Sequence, residues 1–162
     1  MSETLVMDAA KRTLRVEAEA LACMAANPPA ELPAAVAAIM AITGRVIVAG
    51  VGKSGHIGRK IAATFASTGT PAFFIHGAEA SHGDLGMITA QDICLLISNS
   101  GETAELRDLL YHVRRFSIPL IAISSNPDST LMRAADFPLC LPRQPEACPI
   151  GLAPTTSTTL TL

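Results

Sequence analysis

The sequence predicts an α/β fold, a doubly wound five-stranded parallel sheet with helices on both faces. Three observations carry that expectation. Five short apolar runs alternate along the 162 residues with segments of helical periodicity, the order that produces parallel βαβ units. The run Ile93–Ile97 is apolar throughout, without the polar alternation of a sheet face open to water. Two small-residue turns, Gly50-Val51-Gly52-Lys53-Ser54-Gly55 and Ser98-Asn99-Ser100-Gly101-Glu102-Thr103, each leave an apolar run and open onto a helical segment.

From about Ser2 to Ala26, Leu5, Ala9, Val16, Ala20 and Met24 alternate with charged residues, the pattern of an amphipathic helix. Asn27-Pro28-Pro29 stops it. Leu32, Val36, Ile39 and Ile42 define a second helix ending near Gly44. Arg45–Ala49 is the first strand, followed by a helix over Ser54–Ser67 with Ile57, Ile61 and Phe65 on one face. Pro71–Ile75 is the second strand, Gly77–Gly86 a polar, turn-rich connection, and Ile93–Ile97 the third strand. Thr103–Phe116 continues as helix, Pro119–Ile123 as strand, Ser129–Ala135 as a short helix and Phe137–Leu141 as the fifth strand. Thr155–Leu162 has the character of the first two turns of a helix without an end signal, so the sequence is expected to be one domain, 1–162, truncated at its C-terminus. In such sheets ligands bind at the carboxyl ends of the strands, and the candidate motifs are expected at that edge.

Composition narrows the partners. The formal net charge is −2 and the 12 Lys and Arg are scattered, which argues against nucleic acid. No apolar stretch reaches the roughly 18 residues that span a bilayer, and no secretory leader is recognisable. A cytoplasmic location and no membrane partner are therefore expected. Cys23, Cys94, Cys140 and Cys148 lack a C-x-x-C pair and are read as reduced thiols, with Cys94 and Cys140 acting as small core hydrophobes. The alanine-rich opening helices suit close helix packing between subunits, so a homodimer or homotetramer is expected.

A helix N-terminus presents unpaired N–H groups and the positive end of its dipole, so both small-residue turns are candidate phosphate cradles. Gly50, Gly52 and Gly55 match G-x-G-x-x-G, but the second strand ends Phe74-Ile75-His76-Gly77 without the acid a dinucleotide ribose requires. Gly52-Lys53-Ser54 has part of a Walker A loop, yet Ile47 stands where its first glycine belongs and the third strand leads to Ser98 rather than an acid. In the second turn Ser98, Ser100 and Thr103 supply hydroxyls and Asn99 an amide, enough donors to surround a phosphate. A lysine between glycine and serine adds the charge for a phosphorylated small molecule.

Four segments in order carry a family resemblance over essentially the whole chain. They are Gly52-Lys53-Ser54-Gly55-His56, Ala78-Glu79-Ala80-Ser81-His82-Gly83-Asp84-Leu85-Gly86, Ser98-Asn99-Ser100-Gly101-Glu102-Thr103, and Glu146-Ala147-Cys148-Pro149 leading to Ala153-Pro154-Thr155. With these the chain resembles the sugar isomerase (SIS) domain of the arabinose 5-phosphate isomerases. The resemblance implies a flavodoxin-like strand order and the interconversion of ribulose 5-phosphate and arabinose 5-phosphate through an enediol. That reaction feeds synthesis of Kdo, the octulosonate sugar of lipopolysaccharide or capsule. It implies no required cofactor and a phosphorylated pentose as partner, with no CBS module within 1–162.

The same resemblance implies catalytic roles for Lys53, Glu105 and Glu146, and places a further catalytic histidine in a His-Pro-Gly-Gly segment beyond Leu162. It implies substrate contacts at Gly52, Ser54, Gly69, Thr70, His76, His82, Ser98, Asn99, Ser100, Gly101 and Thr103, with His76 also a candidate zinc ligand. Cys148 or Glu146 would join such a zinc site only if the fold brought them near His76. The isomerisation needs a base beside C1 and C2 and a donor facing the developing oxyanion. Either glutamate suits the first task and Lys53 the second. A noncatalytic sugar-phosphate sensor is the alternative use of the same cradle.

Overall fold

A computed structural model of the chain describes residues 2–80 and 82–162. Two helices come first. α1 (Glu3–Ala26) starts at Ser2, whose Oγ accepts the Leu5 N–H at 3.3 Å, a side-chain N-cap. α2 (Leu32–Ala41) carries Pro33 in its first turn, where a missing N–H costs nothing. The alternation then begins with β1 (Val46–Gly50), α3 (Gly52–Ser67), β2 (Ala72–His76), the single-turn α4 (Gly77–Ala80) and a 3-10 turn at Asp84–Met87. β3 (Ile93–Ile97) leads through a 3-10 turn at Ala104–Leu106 into α5 (Arg107–Arg115), followed by β4 (Leu120–Ser124), α6 (Thr130–Ala134), β5 (Phe137–Cys140) and α7 (Thr156–Thr161).

The strands form one parallel sheet in the order β2-β1-β3-β4-β5, so chain direction across the sheet reverses at β1 and β3. β1, β3 and β4 are buried along their whole length, while the edge strands β2 and β5 are half-buried. Pro138 sits in β5, an edge, where the ladder bond it cannot donate is dispensable.

Side chains alternate between two apolar layers, as the two-residue strand period requires. Ile47, Ala49, Cys94, Leu96, Leu120 and Ala122 face the layer with Leu106, Leu109, Val113 and Leu131 of the α5–α6 side. Val46, Val48, Ile93, Leu95, Ile97 and Ile121 face Ala20, Ala35, Ala62 and Leu160, from α1, α2, α3 and α7. Helices thus cover both faces as expected.

Two local expectations are corrected. Gly77–Gly86 is not all loop, because Gly77–Ala80 closes one helical turn. The helix expected from Thr103 begins with a 3-10 turn instead, so Glu105 lies in that tighter turn ahead of α5. All four cysteines are free, and burial, with Asp92 nearby, raises the Cys94 thiol to about 12, as suits an inert core residue. No helix among the described residues is long and apolar enough to cross a membrane.

Candidate functional site

The parallel register fixes where the loops meet. Gly50 pairs with His76 on one side and Ile97 on the other, so the turns leaving β1, β2 and β3 emerge side by side at the carboxyl edge. They also touch: a Cβ on Gly77 would lie 2.9 Å from the Val51 and Leu106 side chains and 3.2 Å from the Glu105 carbonyl. This convergence brings the Lys53 turn, His76 and Glu105 to one rim. Lys53 and Ser54 occupy the first turn of α3, with Lys53 exposed and Ser54 half-buried. Lys53 and Glu105 make no ion pair among the described residues.

The Ser98–Thr103 loop is organised from within. Ser98, 2% exposed, shares a hydrogen bond of 2.7 Å with Thr103 Oγ1 and accepts the Gly101 N–H at 3.0 Å. Ser100 Oγ accepts the Glu102 N–H at 3.2 Å. Gly101 has φ of +68°, and a Cβ there would fall 2.0 Å from Ser129 Oγ. Only glycine tolerates both demands. The hydroxyls expected to face a phosphate therefore first shape the loop; Ser100 and Asn99 remain exposed on it.

This loop separates two cavities. One, of about 200 Å³, is lined by Ser98, Gly101 and Thr103 together with Leu106, Arg107 and Tyr111. The other, of about 100 Å³, joins Asn99 and Ser125 to Arg143, Gln144, Glu146 and Ser157. Glu146 thus shares a cavity with the loop after β3, whereas Lys53 and Glu105 line neither. Arg143 donates to the Ser125 carbonyl at 3.0 Å and to Asn126 Oδ1 at 3.1 Å. Sequence reading missed Arg143, Gln144, Ser125 and Ser157. The signal for the first two was their position just past the carboxyl end of β5, the edge where such sheets bind ligands.

Glu146 is held through one oxygen. Its Oε2 accepts the Thr155 N–H at 2.6 Å, the Thr155 hydroxyl at 2.9 Å and the Ser157 N–H at 3.3 Å. Burial pushes this carboxyl up, but the donors from Ser157 and Thr155 outweigh it and leave the group below its ordinary value of 4.5.

Gly69 and Thr70 do not join the rim of their own chain. They precede β2, at the amino edge of the sheet, separated from His76 by a strand of about 17 Å. The Thr70 N–H bonds the Phe65 carbonyl and the Gly69 N–H that of Ala66, with Gly69 at φ +95°. That is a Schellman stop for α3. The expectation that every candidate lies at the carboxyl edge fails for these two, because they serve the return of the chain to the start of a strand.

His76 Nδ1 accepts the Ala78 N–H at 3.3 Å, holding the turn into α4. His82 is exposed and its N–H bonds the Glu79 carbonyl. Ser81, between these segments, lies outside the described residues. Among the described residues no three His, Cys, Asp or Glu side chains converge, so Glu146 and Cys148 do not complete a zinc site at His76. The described side chains of one chain do not make a closed four-ligand zinc centre.

A family model described as the SIS domain matches residues 39–162. The arabinose 5-phosphate isomerase KdsD of Yersinia pestis is 58% identical over 154 residues, which are 95% of this chain and 47% of that protein. The enzyme of the same name from Pseudomonas aeruginosa is 50% identical over 163 residues, 100% of this chain and 50% of that protein. The chain spans about half the length of these curated relatives. The solved structure of c3406 from E. coli CFT073, in complex with arabinose 5-phosphate, superposes with a TM-score of 0.95 at 41% identity, covering 99% of this chain and 86% of that one. With rim loops, sheet order and these matches in agreement, the chain belongs to the SIS domain family.

Proposed function

We propose that this chain forms the isomerase domain of an arabinose 5-phosphate isomerase, interconverting ribulose 5-phosphate and arabinose 5-phosphate for Kdo synthesis. The observation that carries the reading is the pairing of Gly50 with Ile97, which sets the lysine-bearing turn beside the serine-rich loop at one rim. The arabinose 5-phosphate complex of the 41% identical c3406 and the KdsD relatives support the substrate class. In this reading the loop Ser98–Thr103 holds the phosphate and Lys53 faces the oxygen that becomes the enediolate. Glu105 and Glu146 supply the carboxylates that move the proton between C1 and C2. The transfer is internal and redox-neutral, so it calls for no organic cofactor.

The assembly we propose is a homo-oligomer in the cytoplasm. α1 and α2 expose Leu5, Leu14, Val36 and Met40, the last at 78%, more large apolar side chains than two neighbouring helices normally leave to water. A second copy would cover them.

The test is product identification from a panel of ketose phosphates with the whole protein, expecting arabinose 5-phosphate from ribulose 5-phosphate. Lys53→Ala should cut turnover at least about 100-fold while binding of a phosphate analogue persists. Unchanged turnover in that variant removes Lys53 as the oxyanion stabiliser.

A further inference from the structure

The anchoring of Glu146 through one oxygen has a counterpart in the residue that anchors it. Thr155 stands at the start of α7 and makes three contacts with the Glu146 segment. Its N–H and its hydroxyl both donate to Glu146 Oε2, at 2.6 and 2.9 Å, and its Oγ1 accepts the Ala147 N–H at 2.8 Å. The one hydroxyl thus fixes both the carboxylate and the backbone that carries it. Ser157 N–H adds a third donor to the same Oε2. Oε1 accepts none of these three bonds, and Glu146 lines the cavity beside Asn99 and Ser125.

We propose that Thr155 is the positioning residue of Glu146, securing Oε2 so that Oε1 is the oxygen that exchanges a proton with the bound sugar. This rests on the reading of Glu146 as a proton-transferring carboxylate. In the step concerned, Oε1 takes the proton from the sugar carbon and the C–H electron pair becomes the C1=C2 double bond. The carbonyl π pair moves to oxygen as the enediolate; the hydroxyl proton on the first carbon's oxygen passes to that enediolate oxygen, the carbonyl re-forms on the first carbon, and the carboxylic acid returns its proton to the neighbouring carbon. Nothing is oxidised or reduced overall.

Donors at Oε2 also keep the carboxylate ionised. Two guanidiniums and a thiol stand at the segment that carries Glu146. Arg12 of α1 reaches the Ala147 carbonyl at 3.4 Å, Arg143 lines the same cavity, and Cys148 stands two residues on. Neither arginine forms a salt bridge with Glu146 among the described residues, and α7 carries no titratable side chain. Hydrogen bonding rather than ion pairing therefore sets the charge state, with the Ser157 side chain lowering the carboxyl most and the Thr155 N–H and hydroxyl next.

The experiment compares Thr155→Val, Thr155→Ser and Glu146→Gln in the whole protein, measuring kcat, KM and the acid limb of kcat/KM against pH. Thr155→Val should lower kcat about 10-fold with KM little changed and move the acid limb to higher pH, because one donor to Oε2 is lost. Thr155→Ser should restore both. A purely structural threonine would lower the folded fraction without moving the limb. Unchanged kcat and limb in a folded Thr155→Val protein, with Glu146→Gln inactive, overturns the positioning role and spares the carboxylate. Full activity of Glu146→Gln overturns both. If Thr155→Val does not fold, the unmodified protein decides: an acid limb at or above the ordinary glutamate range overturns the proposal.

Discussion

The two edges of the sheet use carboxylates in different ways. At the amino edge, Asp92 precedes β3 and its Oδ1 accepts the Arg45 N–H at 2.7 Å, just ahead of β1. Its Oδ2 takes the Thr89 N–H at 2.8 Å, the Thr89 hydroxyl at 3.0 Å and the Arg45 guanidinium at 3.2 Å. Asp136, preceding β5, does the same for β4 by accepting the Leu120 N–H at 2.9 Å, while Arg114 holds its other oxygen. Both oxygens of each aspartate are engaged, and each aspartate ties the start of one strand to its neighbour through a backbone N–H. At the carboxyl edge Glu146 commits one oxygen, and the loop after β3 leaves Asn99 and Ser100 exposed. Saturated polar groups build structure; polar groups with capacity to spare mark the edge where a guest can bind.

The largest effect that would sharpen this contrast is expected at Asp92. Asp92→Ala leaves several donors without a partner around a buried position and should cost about 3 kcal/mol of stability. The folded fraction should keep its kcat, as measured by denaturant unfolding beside steady-state kinetics. Burial pushes the Asp92 carboxyl up, but Arg45 and Thr89 donors hold it below its ordinary 3.8. A depressed folded value means the stabilisation is complete above that ordinary value and is lost as pH falls through the folded one. Acid unfolding should therefore be less steep in Asp92→Ala than in the unmodified protein.

A smaller effect is expected at Ser98, whose hydroxyl joins Thr103 and Gly101. Ser98→Ala should weaken binding of a phosphate analogue about 10-fold, roughly 1.4 kcal/mol, read by calorimetric titration. Undiminished affinity would show that the loop keeps its shape without that hydroxyl.

The smallest is at Gly69. Gly69→Ala places a Cβ in the left-handed conformation of the α3 stop and should cost about 1 kcal/mol, with KM unchanged. A raised KM would break the division between edges, because it would show that the amino edge of a second copy completes the rim.

The elements themselves were legible in the sequence. β3 falls at Ile93–Ile97 as its unbroken apolar run requires, and the other four strands lie within one residue of the expected bounds at each end. Burial on both faces imposes a local composition that any stretch of chain displays on its own. The single turn Gly77–Ala80 was not legible, because four residues are too few to show a helical period.

By itself the sequence determined the alternation of strands and helices, the apolar layers and the edge at which the lysine turn and the serine loop emerge. Only the tertiary structure decided that Glu146 is gripped by Thr155, that Arg143 and Gln144 share its cavity, and that Gly69 and Thr70 lie at the far edge. Periodicity is written into neighbours along the chain. A hydroxyl reaching across nine residues, or the Ser124 hydroxyl reaching the Asn99 carbonyl from the next strand, depends on where the backbone returns, which no local pattern encodes.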